Sequence, residues 1–314
     1  MASREACLTV AIPTFNRREA LLHNIEQAVA DEIDDVADLL VIDDGSTDGT
    51  EAAILDSKLC GAASYIRHDS NLGYARTFLE VFGLCTRPYV MISADDDRLI
   101  VEGIRAMVGT PGNLAAAITS TVFETHDARV YRGRGKLSSV TPSHLRKALN
   151  HAPGIVYATD VAREYVSRVS ARLEAGCSMA ATYPQVLLGL LIAMDHRITW
   201  LPVTTVREGA RLPSGITDAS GSPYFSARSR VAQLIDFDAF LVDSIACAQT
   251  KRGREYARAV LRTHRKNGLS QLVKWVSRDA PDLGEELMRQ APLLPVKRPR
   301  ATVRAWAKAF MGRW

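Results

Sequence analysis

Cysteine is scarce in this chain: five in 314 residues (Cys7, Cys60, Cys85, Cys177 and Cys247), odd in number, widely spaced and never arranged as CxxC. That pattern excludes a disulfide scaffold and a zinc clip, and it suits a reducing compartment, so the cytoplasm is the expected location. Long apolar runs are missing too. The longest, Val186–Met194, is nine residues with Gly189 inside it, whereas a bilayer span needs about 20. Residues 1–7 lead straight into a strand-like run, and no secretory leader is expected. Glycine and proline are modest at 20 and 13, with 24% charged and 47% hydrophobic residues, a balance that excludes disordered and collagen-like chains. Two phosphate-binding signatures are absent as well. No GxGxxG follows the first strand and no GK[ST] occurs anywhere, which excludes a dinucleotide dehydrogenase and a P-loop NTPase.

What charge there is lies unevenly. Residues 251–314 hold 16 Lys and Arg against 5 Asp and Glu, a net of +11, while residues 1–250 carry a net of −7. The extreme of this is Lys297–Trp314, with six basic residues and no acid. As a helix it would gather Val303, Trp306, Ala307, Phe310 and Trp314 on one face. Two readings stay open, an amphipathic helix making peripheral contact with a membrane and a helix docked on the protein's own core. The acidic first part argues against nucleic acid as a partner.

From residue 8 to about 125 the chain alternates short β-rich runs with helical patterns, the signature of a mostly parallel α/β sheet between helices. The strands expected are Leu8–Ile12, Leu39–Ile42, Ser64–Arg67 and Tyr89–Ser93, with Ala115–Val122 a fifth. Between them, Leu21, Leu22, Ile25, Ala28 and Val29, then Phe78, Leu79, Val81 and Phe82, recur at helical spacing and mark core faces. Residues 129–147 are polar and rich in Arg, Gly and Ser, and predict a mobile surface loop. From Ser226 onward the pattern is helical, giving an α/β domain over 1–225 and a helical C-terminal extension over 226–314.

In such a sheet ligands bind beyond the carboxyl ends of the strands. The turns there are polar: Pro13-Thr14-Phe15-Asn16-Arg17, Asp43-Asp44-Gly45-Ser46-Thr47-Asp48-Gly49, Asn71-Leu72-Gly73-Tyr74-Ala75-Arg76 and Ala94-Asp95-Asp96-Asp97. Three adjacent carboxylates repel one another, and a divalent cation makes such a cluster tolerable. Capping of the following helix explains Asp97 but leaves Asp95 and Asp96 over. The Asp44–Gly49 stretch imitates the start of a calcium loop but has Leu55 at position twelve, so it reads as a turn in which Ser46 or Asp48 caps a helix and Asp44 accepts hydrogen bonds from a base or ribose.

These four blocks, in this order, resemble the family 2 nucleotide-sugar glycosyltransferases of the GT-A fold, over residues 6–110. The later half is similar, more loosely, to bacterial O-antigen transferases of abequosyltransferase type. The resemblance implies an inverting, metal-dependent transfer of a sugar from a nucleoside diphosphate, with UDP- or dTDP-sugars favoured, to an acceptor hydroxyl of a surface polysaccharide, glycolipid or small metabolite. Carried over by position, Pro13, Thr14 and Phe15 line the nucleoside pocket, Asp44 meets the base, and Gly73 and Arg76 lie beside ribose and diphosphate. Asp95 and Asp96 fall in the metal-binding block, for Mn²⁺ or Mg²⁺, with Asp96 the more direct ligand. Ser93 replaces the first acid of the family's Asp-x-Asp.

A departure concerns the catalytic base. The family supplies it from a Glu-Asp pair where this chain reads Met179-Ala-Ala-Thr-Tyr-Pro-Gln185, which contains no acid. Of the nearby carboxylates, Asp160 is expected to cap a helix and Asp195 to be buried after an apolar run, so Glu174 is the candidate by elimination. Tyr183 reads either as a lining of the acceptor site or as a packed core tyrosine. A catalytically silent nucleotide-sugar-binding protein and a sugar-nucleotide pyrophosphorylase stay as alternatives.

Overall fold

The computed structural model describes residues 7–56, 61–109, 115–123, 130–132, 138–209, 223–224 and 226–279. Cys60 and the Lys297–Trp314 tail lie outside them. The chain forms two compact units, Met1–Arg168 with His196–Ser214, and Val169–Asp195 with Gly215–Trp314.

In the first unit the chain runs β1 (Leu8–Thr14), α1 (Arg18–Ala30), β2 (Asp38–Asp43), α2 (Thr50–Leu55), β3 (Ser64–Arg67), α3 (Tyr74–Leu84) and β4 (Tyr89–Ile92). It goes on through β5 (Arg98–Leu99), α4 (Val101–Val108), β6 (Ala116–Phe123), β7 (Val130–Arg132), β8 (Ser138–Ser139), α5 (Leu145–Leu149) and β9 (Ile155–Ala158) into α6 (Thr159–Glu174); β10 (Ile198–Glu208) returns to the sheet later. Among the described residues the sheet order is β3-β2-β1-β4-β9-β6-β10-β5, with β7 on β6 and β8 on β10. The segment β3-β2-β1-β4 is parallel. Strand β9 runs antiparallel between β4 and β6, so the sheet is mixed.

β1 is a central strand buried on both faces, which is why Val10, Ala11 and Ile12 run apolar without alternation and Leu8 and Thr9 before them are buried as well. Leu21, Ile25 and Ala28 of α1 pack into the same core with Leu39, Val41 and Met91, each large aliphatic contributing about 1.5–3 kcal/mol on burial. The end of α3 is closed by Arg163, whose guanidinium donates to the carbonyls of Phe82, at 2.7 Å, and Cys85.

The described parts of 129–147 correct the expectation of a surface loop. Val130–Arg132 adds a strand to β6, Ser138–Ser139 pairs with β10, and Leu145, Ala148 and Leu149 of α5 are fully buried. Their i, i+3, i+4 spacing is a helix signal that the polar residues around them obscure.

In the second unit α7 (Ser178–Thr182) and α8 (Pro184–Asp195) pack with α9 (Ala227–Ala246) and α10 (Lys251–Asp279). The apolar run Val186–Met194 is buried on every side, as a helix hydrophobic all round must be. That need for helical neighbours groups Val169–Asp195 with the later helices. Asp195 itself is exposed, contrary to the expectation that it would be buried with the run before it. Ser226 caps α9 by accepting the Ser229 N–H at 3.2 Å. Arg265 of α10 donates twice to Asp238 of α9, at 2.6 and 2.8 Å. Among the described residues no helix is long and apolar enough to cross a membrane.

Candidate functional site

Parallel pairing brings the carboxyl ends of β1, β2 and β4 to one edge. Thr14 stands opposite Asp43 in register, and Ala11 opposite Ile92, so the loops after β1 and β4 emerge side by side. Thr14 Oγ1 donates to Asp95 Oδ2 at 2.9 Å. Asn24 of α1 donates from Nδ2 to the Ala94 carbonyl at 3.2 Å and fixes the backbone of the same loop. Pro13 is half-buried and Phe15 is exposed, 40% of its surface open for an aromatic side chain to be stacked upon.

Asp95 and Asp97 are buried, whereas Asp96 is partly exposed. Burial pushes the Asp95 carboxyl up to about 6, against the pull of the Arg17 guanidinium and the Thr14 hydroxyl. Asp97 is pushed up to about 7, by burial first and then by the charge of Asp96. It does not cap the helix: the residue preceding α4 is Ile100, without a side-chain cap. Asp97 instead accepts the Gly209 N–H at 3.2 Å, and its Oδ2, 3.7 Å from His151 Nε2, has no hydrogen-bond partner among the described residues. The reason is tertiary, because β10 ends against this loop and offers a backbone donor that the sequence does not announce.

Arg17, left unassigned by the sequence reading, places Nη1 2.6 Å from Asp96 Oδ2 and 3.6 Å from Asp95 Oδ1. The signal available for it was electrostatic, since three adjacent acids call for a counter-charge. His151, Gly209 and Asn24 gave no such signal.

Asp44 is buried, and its carboxylate accepts the backbone N–H groups of Leu72 and Gly73 at 2.8 Å, with His68 Nδ1 2.9 Å away. It thereby fixes the 71–73 loop. Gly45 makes this approach possible: a Cβ there would lie 2.8 Å from the Ser70 carbonyl carbon, and its φ of +76° is one that L side chains rarely adopt. The residue preceding α2 is Gly49, without a side-chain cap; Asp48, one position earlier, accepts the Thr50 N–H at 3.2 Å and the Thr50 hydroxyl at 2.6 Å. Ser46 instead accepts the Asn16 N–H at 2.9 Å. Arg76 is exposed at the start of α3.

The structure therefore brings Thr14, Asp95 and Asp96 together, and Asp44 with Gly73. Glu174 is the exposed last residue of α6 and belongs to the second unit. In that unit Tyr183 is buried, and its hydroxyl accepts from Arg230 Nη1 at 2.5 Å, the packed role. Asp160 lies in the first turn of α6, paired with Arg163 at 2.8 Å.

Residues 9–157 match the family described as Glycosyl transferase family 2. The match covers just under half of the chain, and over that stretch the chain is similar to family 2 glycosyltransferases. Its GT-A fold is shared with solved structures of low sequence identity. Staphylococcus aureus TarS 1–349 in complex with UDP-GlcNAc aligns with a TM-score of 0.61 at 15% identity, covering 97% of this chain and 90% of that one. The mannosyltransferase PcManGT from Pyrobaculum calidifontis, in complex with GDP-Man and Mn²⁺, aligns at 0.55 and 15% identity, covering 98% and 87%. No curated protein sequence matches the chain.

The turn after β4 offers a divalent cation a limited set of donors. Among the described residues no group of three or more His, Cys, Asp or Glu could hold one. Asp95 and Asp96 are hard oxygen donors at the mouth of the strands, and Asp97 Oδ2 is a buried carboxylate oxygen 3.7 Å from His151 Nε2 and without a hydrogen-bond partner among the described residues. That donor set suits an ion such as Mg²⁺ or Mn²⁺ that takes one or two carboxylates and completes its shell with phosphate oxygens and water.

Proposed function

We propose that this protein transfers a sugar, with inversion, from a nucleoside-diphosphate sugar, a UDP- or dTDP-sugar in the first instance, to an acceptor hydroxyl. The observation that carries the reading is the meeting of Thr14, Asp95 and Asp96 at the carboxyl end of β1 and β4, in a stretch similar to this family. In it Phe15 stacks on the nucleoside, Pro13 and Thr14 wall the pocket, and Asp44 acts by holding the Gly73 loop for the ribose and diphosphate, with Arg76 beside them. Asp95 and Asp96 would hold Mg²⁺ or Mn²⁺, which would supply positive charge against the negative charge developing on the departing nucleoside diphosphate. TarS bound to UDP-GlcNAc supports the choice of a uridine donor, and PcManGT bound to GDP-Man and Mn²⁺ supports the cation.

The test is thermal stabilisation by UDP, dTDP and GDP with and without Mn²⁺, followed by turnover of the matching sugar nucleotides. A nucleotide at a hundredfold excess over its Kd stabilises the fold by about 2.7 kcal/mol. Asp96→Ala should abolish the Mn²⁺-enhanced part of that shift. Equal stabilisation with and without metal in the wild type refutes the metal assignment, and no stabilisation by any nucleotide refutes the donor.

A further inference from the structure

Arg17 is aimed at the aspartates by a clamped turn. The residue before it, Asn16, has φ +53°, in the left-handed region that non-glycine residues adopt infrequently. Both of its sides are pinned to the loop after β2: its N–H donates to Ser46 Oγ at 2.9 Å, and its Oδ1 accepts the Thr47 N–H at 2.7 Å. A backbone held in such a region by its surroundings occurs typically where geometry is under functional demand. The turn carries the Arg17 guanidinium to 2.6 Å from Asp96 Oδ2 and 3.6 Å from Asp95 Oδ1. These side chains are only 20%, 21% and 10% exposed, so water and salt screen the contact weakly.

One guanidinium thus spans the same two carboxylates that the proposed cation would use. A divalent ion on Asp96 Oδ2 and a guanidinium nitrogen at hydrogen-bond distance from that oxygen are like charges contesting one anion, so each weakens the other's hold. Arginine released there does not stay unpaired for want of a partner. Its planar fork matches phosphate oxygens as well as it matches carboxylate, and the donor's diphosphate brings such oxygens to the cation.

We propose that Arg17 is a charge-exchange residue: it pairs with Asp95 and Asp96 in the nucleotide-free protein and passes to the diphosphate when the cation takes the carboxylates. The inference rests on the donor and metal reading above and deepens it. Cation and nucleotide then promote each other's binding, because each removes a competitor or supplies a partner for the other, and the coupling is reciprocal.

The test measures Mn²⁺ binding itself, by the electron paramagnetic resonance signal of free Mn²⁺, on the full-length protein with and without UDP. Wild type, Arg17→Met and Asp96→Ala are compared, with circular dichroism as the check on folding. Wild type should bind Mn²⁺ weakly alone and at least about tenfold more tightly with UDP, within the usual range of couplings between sites. Arg17→Met should bind Mn²⁺ alone about tenfold more tightly than wild type and gain much less from UDP, and Asp96→Ala should lose binding in both conditions. If Arg17→Met proves misfolded, Arg17→Gln keeps a polar head without charge and gives the same comparison. Should the uncharged variant bind Mn²⁺ no more tightly than wild type while UDP still promotes binding in wild type, the exchange is wrong and the site reading stands. Absence of Mn²⁺ binding in wild type and variant alike, with UDP present, overturns the metal reading and the exchange together.

Discussion

Asp44 accepts the backbone N–H of Gly73 at 2.8 Å, joining the end of β2 to the start of α3 across 29 positions of sequence. The same buried carboxylate also takes the Leu72 N–H. Removing it leaves two backbone donors without this acceptor, a loss that for hydrogen bonds to charged groups is about 1.5–3 kcal/mol each in favourable cases. Asp44→Ala should therefore lower unfolding stability in urea by roughly that amount and weaken UDP binding, because the loop that leads through Gly73 into α3 and Arg76 loses its anchor. Asp44→Asn retains one acceptor oxygen and should fall between wild type and Ala on both measurements.

Two helical glycines make opposite predictions. A Cβ at Gly103 in α4 would lie 1.7 Å from the backbone oxygen of Thr204 in β10. Gly103→Ala must push α4 off the sheet and should cost about 1–3 kcal/mol or more. At Gly83 in α3 nothing lies within 4 Å of a Cβ. There the gain in helix propensity is unopposed, and Gly83→Ala should stabilise by about 0.5–1 kcal/mol. Chemical denaturation of the two variants reads both signs.

Thiol reactivity should follow burial and charge. Burial pushes Cys85 up to about 11, and burial together with the Asp236 carboxylate does the same for Cys177. At pH 8 only about one part in a thousand of each is the reactive thiolate. Cys247 is exposed. Peptide mapping after brief iodoacetamide treatment should find Cys247 alkylated well before Cys85 or Cys177. Labelling of the latter two should rise steadily as the pH is raised toward 11. Equal early labelling of all three would contradict the burial.

Glu174, the general-base candidate left by elimination in the sequence, is an exposed carboxylate at the last position of α6. Glu174→Gln should reduce kcat by about 10²–10⁴ while UDP binding and its Mn²⁺ enhancement stay as in wild type. Unchanged turnover would remove Glu174 from the reaction and leave it a surface residue.

Much of the site was legible because its polar residues sit at strand ends, where a run of β-branched and aliphatic residues stops abruptly. The β4 run Val90-Met91-Ile92 followed by Ser93-Ala94-Asp95-Asp96-Asp97 marks both the strand and the acidic turn after it. What such a reading could not assign is each acid's partner. Asp95 meets Thr14 at a separation of 81 residues, Asp97 meets Gly209 at 112, and Arg17 reaches Asp96 over 79. Nothing in local composition couples positions so far apart.

The sequence by itself determined the alternation of strand and helix from Leu8 to Leu84, the buried faces of α1 and α3, and which turns carry charge. Periodicity and propensity act over a few residues, and in the core of a parallel sheet they agree with the tertiary outcome. Only the tertiary structure decided that β9 inserts antiparallel between β4 and β6, that β10 returns to pair beside β6, and that α7 and α8 join the later helices. It also decided that Asp97 faces Gly209 instead of capping α4, and that Asp44 holds a backbone loop. Those outcomes depend on which surfaces are buried against which. A buried carboxylate takes the nearest donors that the fold brings within about 3 Å, whatever their distance along the chain.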